Sequence, residues 1–170
     1  GGAHGDHTGG TIMSAGNLDP KGRGMAYGAE IYVYGAAGTP YYNGFDSIPS
    51  HYLNPGIKIS STSYSNGCNA GYTSFSRLMD EQVRKHPSLM HVFSAGNSGY
   101  YDCGYGAGPG WGNVTGGHKI GKNVIAVGNT DYKDILSASS SRGPAHDGRI
   151  KPDVCAKGSD VYSTLDPNDY

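Results

Sequence analysis

Apolar residues along this chain fall into two spacings. In one they recur every three or four positions. Phe75, Leu78, Met79 and Val83 share one face of a helix predicted over Thr73–His86, and Pro87 stops it. The other spacing is a short apolar run bounded by glycine or polar residues. Met90–Ala95 and Asn123–Val127 (N-V-I-A-V) have this form, which fits buried parallel strands. Ala29–Tyr34 (A-E-I-Y-V-Y) alternates and ends at glycine, so it is predicted as a strand. Lys58–Tyr64 is predicted as another, leading into a polar loop. A glycine-rich helix is expected from His4 to about Ala15, and a shorter one over Ser47–Leu53 with Pro49 tolerated in its first turn. Strands alternating with helical segments predict an α/β domain: a mostly parallel sheet with flanking helices. In such sheets the ligand site lies beyond the carboxyl ends of the strands. Tyr64 and Asn97 both stand just past such ends.

Composition narrows the reading. The 170 residues suffice for one domain with a real core, residues 1–170. A net charge of -1 gives no attraction toward nucleic acid or an anionic membrane, so neither is an expected partner. No apolar run approaches the ~20 residues of a membrane span, and no leader pattern is visible. The 29 glycines and 14 tyrosines point to many tight turns and aromatic-lined surfaces rather than a helical bundle. The three cysteines, Cys68, Cys103 and Cys155, lack zinc-site spacing. Cys155 lies in a strand-like apolar context and reads as a buried small hydrophobe. Cys68 and Cys103 lie in glycine-rich loops and form a candidate disulfide, which would imply an oxidising compartment.

Two stretches suggest chemistry. In His91-Val92-Phe93-Ser94-Ala95-Gly96-Asn97-Ser98-Gly99 an apolar strand ends in G-N-x-G, which leaves an amide side chain at a sharp turn. Such a donor suits a developing oxyanion in acyl transfer, although Gly-Asn is also common turn chemistry. In His4-Gly5-Asp6-His7-Thr8-Gly9-Gly10-Thr11 a histidine opens a helix of small residues. Gly9 and Gly10 each cost about 1 kcal/mol of helix propensity, which a sequence accepts where backbones must approach closely. His4 is then placed as a general base. The alternatives are a surface histidine, or a zinc site from His4, Asp6 and His7 that no further ligand cluster supports.

Taken in order, these segments resemble the subtilisin-like serine proteases, the subtilases. His4–Thr11 resembles H-G-T-H-V-A-G-T, and Ser94–Asn97 resembles A-A-G-N. Ser140–Val154 resembles S-S-R-G-P-x-x-D-G-R-I-K-P-D-V, and Gly24–Val33 resembles G-V-A-P-x-A-x-L-Y-A-V. The resemblance implies that His4 is the catalytic base and Asn97 the oxyanion donor. It implies that Ser63-Tyr64-Ser65 and Ser94-Ala95-Gly96 form the two walls of the pocket for the residue before the scissile bond. Peptide backbone would add there as an extra strand. Gly35–Tyr42 would form the other edge of the cleft. No cofactor is required. Calcium is possible, as in many subtilases, but no acidic run sets out a site.

The family's other triad motifs, D-[ST]-G and G-T-S-M-A, occur nowhere in these residues. The expectation is a partial catalytic domain that hydrolyses no peptide alone. Its partners would be a peptide or protein substrate, and the remainder of its own catalytic domain or a second copy. The intact protein is expected to be a secreted serine endopeptidase, extracellular, periplasmic or cell-surface. The alternatives are a peptide-binding relative that does not cut and the zinc hydrolase. Asp6 replaces the family's threonine and Ser65 a glycine at the wall. Tyr27 replaces a proline in G-V-A-P, and Lys157 one in A-P-G. Asn113-Val114-Thr115 fits a glycosylation sequon, a triplet frequent by chance. Arg142, Asp147 and Arg149 read as ion pairs that order a turn.

Overall fold

Four parallel strands carry the architecture of the computed structural model, which describes residues 2–34, 43–64, 67–69 and 71–165. They are β1 (Ile59–Thr62), β2 (Met90–Ser94), β3 (Ile125–Thr130) and β4 (Val154–Lys157), ordered in space as in sequence. Three helices accompany them: α1 (Ala3–Met13), α2 (Asn43–Leu53) and α3 (Ser74–Lys85). The chain divides into two units, one of Gly1–Ser47 with Asp160–Tyr170 and the other of Ile48–Ser159. The sheet belongs entirely to the second.

Within the sheet unit, β1 pairs with β2 so that Thr62 lies opposite Phe93, and β2 pairs with β3 so that Ser94 lies opposite Val127. The expectation of strands buried on both faces holds for only one face. In β2, His91 and Phe93 are buried while Val92 and Ser94 are half-buried. In β3, Ala126 and Thr130 are buried and their neighbours partly open. Helix α3 and a 3-10 turn over His118–Ile120 pack on β2 and on each other.

Helix α3 begins where the sequence predicts, with Thr73 as its N-cap. The Ser76 side chain reaches back and accepts from the Thr73 N–H at 3.2 Å. The helix's rotation differs from the apolar-face prediction. Met79 is buried, but Phe75, Leu78 and Val83 are only half-buried, while Ser76, Asp80 and Gln82 turn inward. Hydrogen bonds set that rotation. Asp80 accepts from Tyr72 Oη (2.7 Å), Lys122 N (3.0 Å) and Asn123 N (2.7 Å), which ties the helix to the entry of β3. Ser76 Oγ donates to Gly117 O at 2.6 Å.

Three other expectations are corrected. Ala29–Tyr34 is no strand, and Val33 is 78% exposed. A strand needs a neighbour to satisfy its N–H and C=O groups, and among the described residues the first unit contains none. Helix α2 begins at Asn43, which places Pro49 in its interior rather than its first turn. Cys155 is exposed, not buried, because β4 lies at the edge of the sheet with all four residues exposed. No helix among the described residues is long and apolar enough to cross a membrane.

In the first unit, α1 shows which glycine the close packing requires. A Cβ on Gly10 would collide with Ser163 and Thr164, whereas one on Gly9 would meet nothing. The segment that makes this approach is bonded to the helix. His7 Nε2 lies 3.0 Å from Val161 O, Ser163 Oγ donates to His7 O (2.7 Å), and Thr164 Oγ1 donates to Asp6 O (2.9 Å).

Candidate active site

Extending the β1–β2 register past Thr62 and Phe93 brings Ser63 opposite Ser94 and Tyr64 opposite Ala95. The two predicted walls therefore leave the sheet side by side at the carboxyl ends of adjacent parallel strands. Ser63 is exposed, Tyr64 and Ser94 are half-buried, and Ala95 and Gly96 are buried. Ser65 lies outside the described residues, as does the Gly35–Tyr42 edge.

The turn that carries Asn97 is clamped on both sides. Ala95 N donates to Val127 O (2.8 Å), Ser141 N to Gly96 O (2.8 Å), Ser98 N to Ser141 Oγ (3.0 Å) and Gly99 N to Ser139 O (3.0 Å). Gly96 has φ 116°, a conformation that favours glycine. A side chain there would also meet Lys119 Nζ at 2.8 Å and Ser141 Oγ at 2.9 Å. The result is an exposed carboxamide, Asn97, on a backbone fixed by Ser139–Ser141.

The rim is braced as well. Cys68 and Cys103 are joined by a disulfide, with Cα atoms 5.5 Å apart. Beside it Thr115 Oγ1 donates to Gly67 O (3.1 Å) and accepts from Asn69 N (3.2 Å). These bonds tie the segment after the first wall to the loop after Asn97. Asn113, the sequon residue, is 1% exposed. Its amide donates to Tyr101 O and accepts from Arg142 N, so it is structural. Asp147 and Arg149 form an ion pair at 2.9 Å, and Arg149 Nη2 donates to Ile120 O. The Arg149 guanidinium holds the Asp147 carboxyl below its ordinary pKa.

Beneath the walls lie residues to which no sequence motif pointed. His91 is fully buried, with Nδ1 2.6 Å from Ser60 Oγ, and burial pushes its pKa down to about 4. The His118 ring lies tilted against Phe93 (4.5 Å between centroids) and meets the Tyr64 ring edge-on at 5.0 Å. Burial, then the charge of Lys119, then His91, lower its pKa to about 4. Lys119 is 2% exposed, and burial lowers its pKa to about 8. The only visible signal was a polar pair, His-Lys, inside the small-residue run G-G-H-K-I-G before a strand.

His4 stands exposed on the first turn of α1, in the other unit. Asn97, both walls and the disulfide gather within the sheet unit. Among the described residues no group of three His, Cys, Asp or Glu side chains could hold a metal.

The sequence matches the Subtilase family, Peptidase S8, over residues 1–169, and the chain belongs to that family. The fold agrees with a solved structure of a prenylagaramide maturation protease, PagA. The TM-score is 0.64 at 15% identity, over 96% of this chain and 55% of that one. The chain thus spans about half the length of this neighbour.

Proposed function

We propose that this chain is the central part of a serine endopeptidase of the subtilisin type. Its complete protein hydrolyses peptide bonds through an acyl-enzyme. His4 acts as general base and Asn97 donates to the oxyanion. Substrate backbone pairs with Ser63-Tyr64-Ser65 and Ser94-Ala95-Gly96. The observation that carries this reading is the exposed Asn97 carboxamide on a clamped turn at the end of β2. Oxyanion stabilisation needs a donor whose position is fixed before the reaction begins, and the clamp supplies that. The aspartate and serine are assigned to protein outside these residues, so the chain alone is inactive. The exposed edges of β1 and β4 accept the remainder of the catalytic domain or a second copy. The disulfide supports an oxidising, secreted setting.

The test is hydrolysis of a chromogenic peptide by the isolated chain and by the natural polypeptide that carries it. The isolated chain should show none. In the longer protein, His4→Ala should abolish turnover. Asn97→Ala should lower kcat by the loss familiar for side-chain oxyanion donors of subtilisins, about 10²–10³. Activity in the isolated chain would overturn the assignment, as would full activity in either variant of the longer protein. Binding without cleavage by the longer protein would identify a non-catalytic peptide binder instead.

A further inference from the structure

One residue holds both peptide groups that flank Asn97. Ser141 N donates to the Gly96 carbonyl on one side at 2.8 Å, and Ser141 Oγ accepts from the Ser98 N–H on the other at 3.0 Å. Ser141 is fully buried, so water does not compete for either bond. Its own position is pinned from both directions along the chain. The Ser140 hydroxyl accepts from Asn129 N in β3 at 3.0 Å, and Arg142 N donates to Asn113 Oδ1 at 2.6 Å. The turn sits directly on this segment: a Cβ on Gly99 would collide with the backbone at Ala138, Ser139 and Ser140. Among the described residues nothing bonds the exposed Asn97 carboxamide itself, so its direction is set by the backbone beneath it.

We infer that Ser141 is a positioning residue for the oxyanion donor: its hydroxyl holds the Asn97 carboxamide in the productive direction without touching substrate. This rests on the proposal that Asn97 donates to the oxyanion. The physical reason is preorganisation. A donor stabilises developing charge best when it needs no reorientation as the charge forms. The Asn97 side chain leaves the backbone between the two bonds that Ser141 makes, so those bonds fix the direction of its Cα–Cβ vector. Without the hydroxyl, the Ser98 N–H loses its acceptor and the turn samples other orientations. The Gly96 carbonyl keeps its bond to Ser141 N, so the loss is partial. The wall residues precede Asn97 and keep their own anchors, Ala95 N to Val127 O among them, so substrate affinity is unaffected. One net hydrogen bond shifts the population of the productive turn by up to about tenfold. That is well short of the about 10²–10³ for removing the donor altogether.

The experiment uses the longer natural polypeptide that carries this chain and a chromogenic peptide. Both kcat and KM are measured for Ser141→Ala, Asn97→Ala and the double variant. Ser141→Ala should lower kcat about 3–10-fold and leave KM within about twofold. In the Asn97→Ala background the same substitution should change kcat by less than about twofold, because no carboxamide is left to misdirect. A residue that only supports the fold would lower kcat alike in both backgrounds. If Ser141→Ala does not fold, Ser141→Cys decides. Its thiol fills nearly the same space but accepts hydrogen bonds weakly, so it should show a smaller kcat loss with the same dependence on Asn97. Equal losses with and without Asn97, a rise in KM in place of a fall in kcat, or an unchanged kcat would overturn the positioning role and leave the Asn97 assignment standing. Full activity in Asn97→Ala alone, or no hydrolysis by the longer protein, would overturn the oxyanion reading itself, and the role of Ser141 with it.

Discussion

Acidification should unfold the sheet unit through His91 and His118, and the size of the effect follows from their burial. Both imidazoles are 1% exposed or less, and both have pKa values lowered from 6.5 to about 4. A base with a lowered folded pKa binds its proton more weakly when folded than when unfolded. Above pH 6.5 both states are neutral and nothing is lost. Between pH 6.5 and 4 the unfolded chain takes up protons that the folded chain refuses, so stability falls with pH. Below pH 4 the loss is complete. One pKa unit is about 1.4 kcal/mol, so each histidine accounts for about 3.5 kcal/mol and the pair for about 7. That is comparable to the whole stability of an ordinary domain, about 5–15 kcal/mol. The assay is urea unfolding, followed by near-UV circular dichroism, at intervals from pH 7.5 to 4. The midpoint should fall most steeply between pH 6 and 4.5. Loss of the Arg149-stabilised Asp147 carboxylate acts in the same direction but only below its ordinary value of 3.8, outside this window. NMR titration of the folded chain supplies the refutation: if either imidazole titrates at 6 or above, its environment is not the dry one described.

Three further outcomes are expected. Gly96→Ala should destabilise the chain by about 1–3 kcal/mol in urea unfolding, mainly because φ 116° strains any side chain, while the flexible lysine end gives way. Reducing the Cys68–Cys103 disulfide, which spans 35 residues, should cost about 4 kcal/mol on the loop-entropy relation, read as a lower thermal midpoint with reductant. Asp80→Ala should cost about 3 kcal/mol or more, because the Lys122 and Asn123 amides lose their acceptor. The Tyr72 phenol, held up to about 12 by burial and then by Asp80, should then titrate earlier in ultraviolet difference spectra.

Local elements and the order of the motifs were legible in the residues alone. Spacing of 3.6 placed α3 within a residue at each end, because Thr73 is its N-cap and Pro87 blocks its continuation. Short glycine-bounded apolar runs marked β2 and β3, and G-N-x-G marked the turn with Asn97. These signals are read within a few residues of where they act. Packing between distant segments set the rest. Ala29–Tyr34 has an alternating pattern yet forms no strand, because alternation describes side chains and cannot supply a partner for backbone groups. Cys155 is apolar in context yet exposed, because its strand lies at an edge. Helix α3 turns Asp80 inward, since amides 42 and 43 residues away need its carboxylate. His118 and Lys119 are buried only because β2 and α3 pack on their turn. Burial is a property of what surrounds a residue, and the neighbours that lower their pKa values lie far off in sequence.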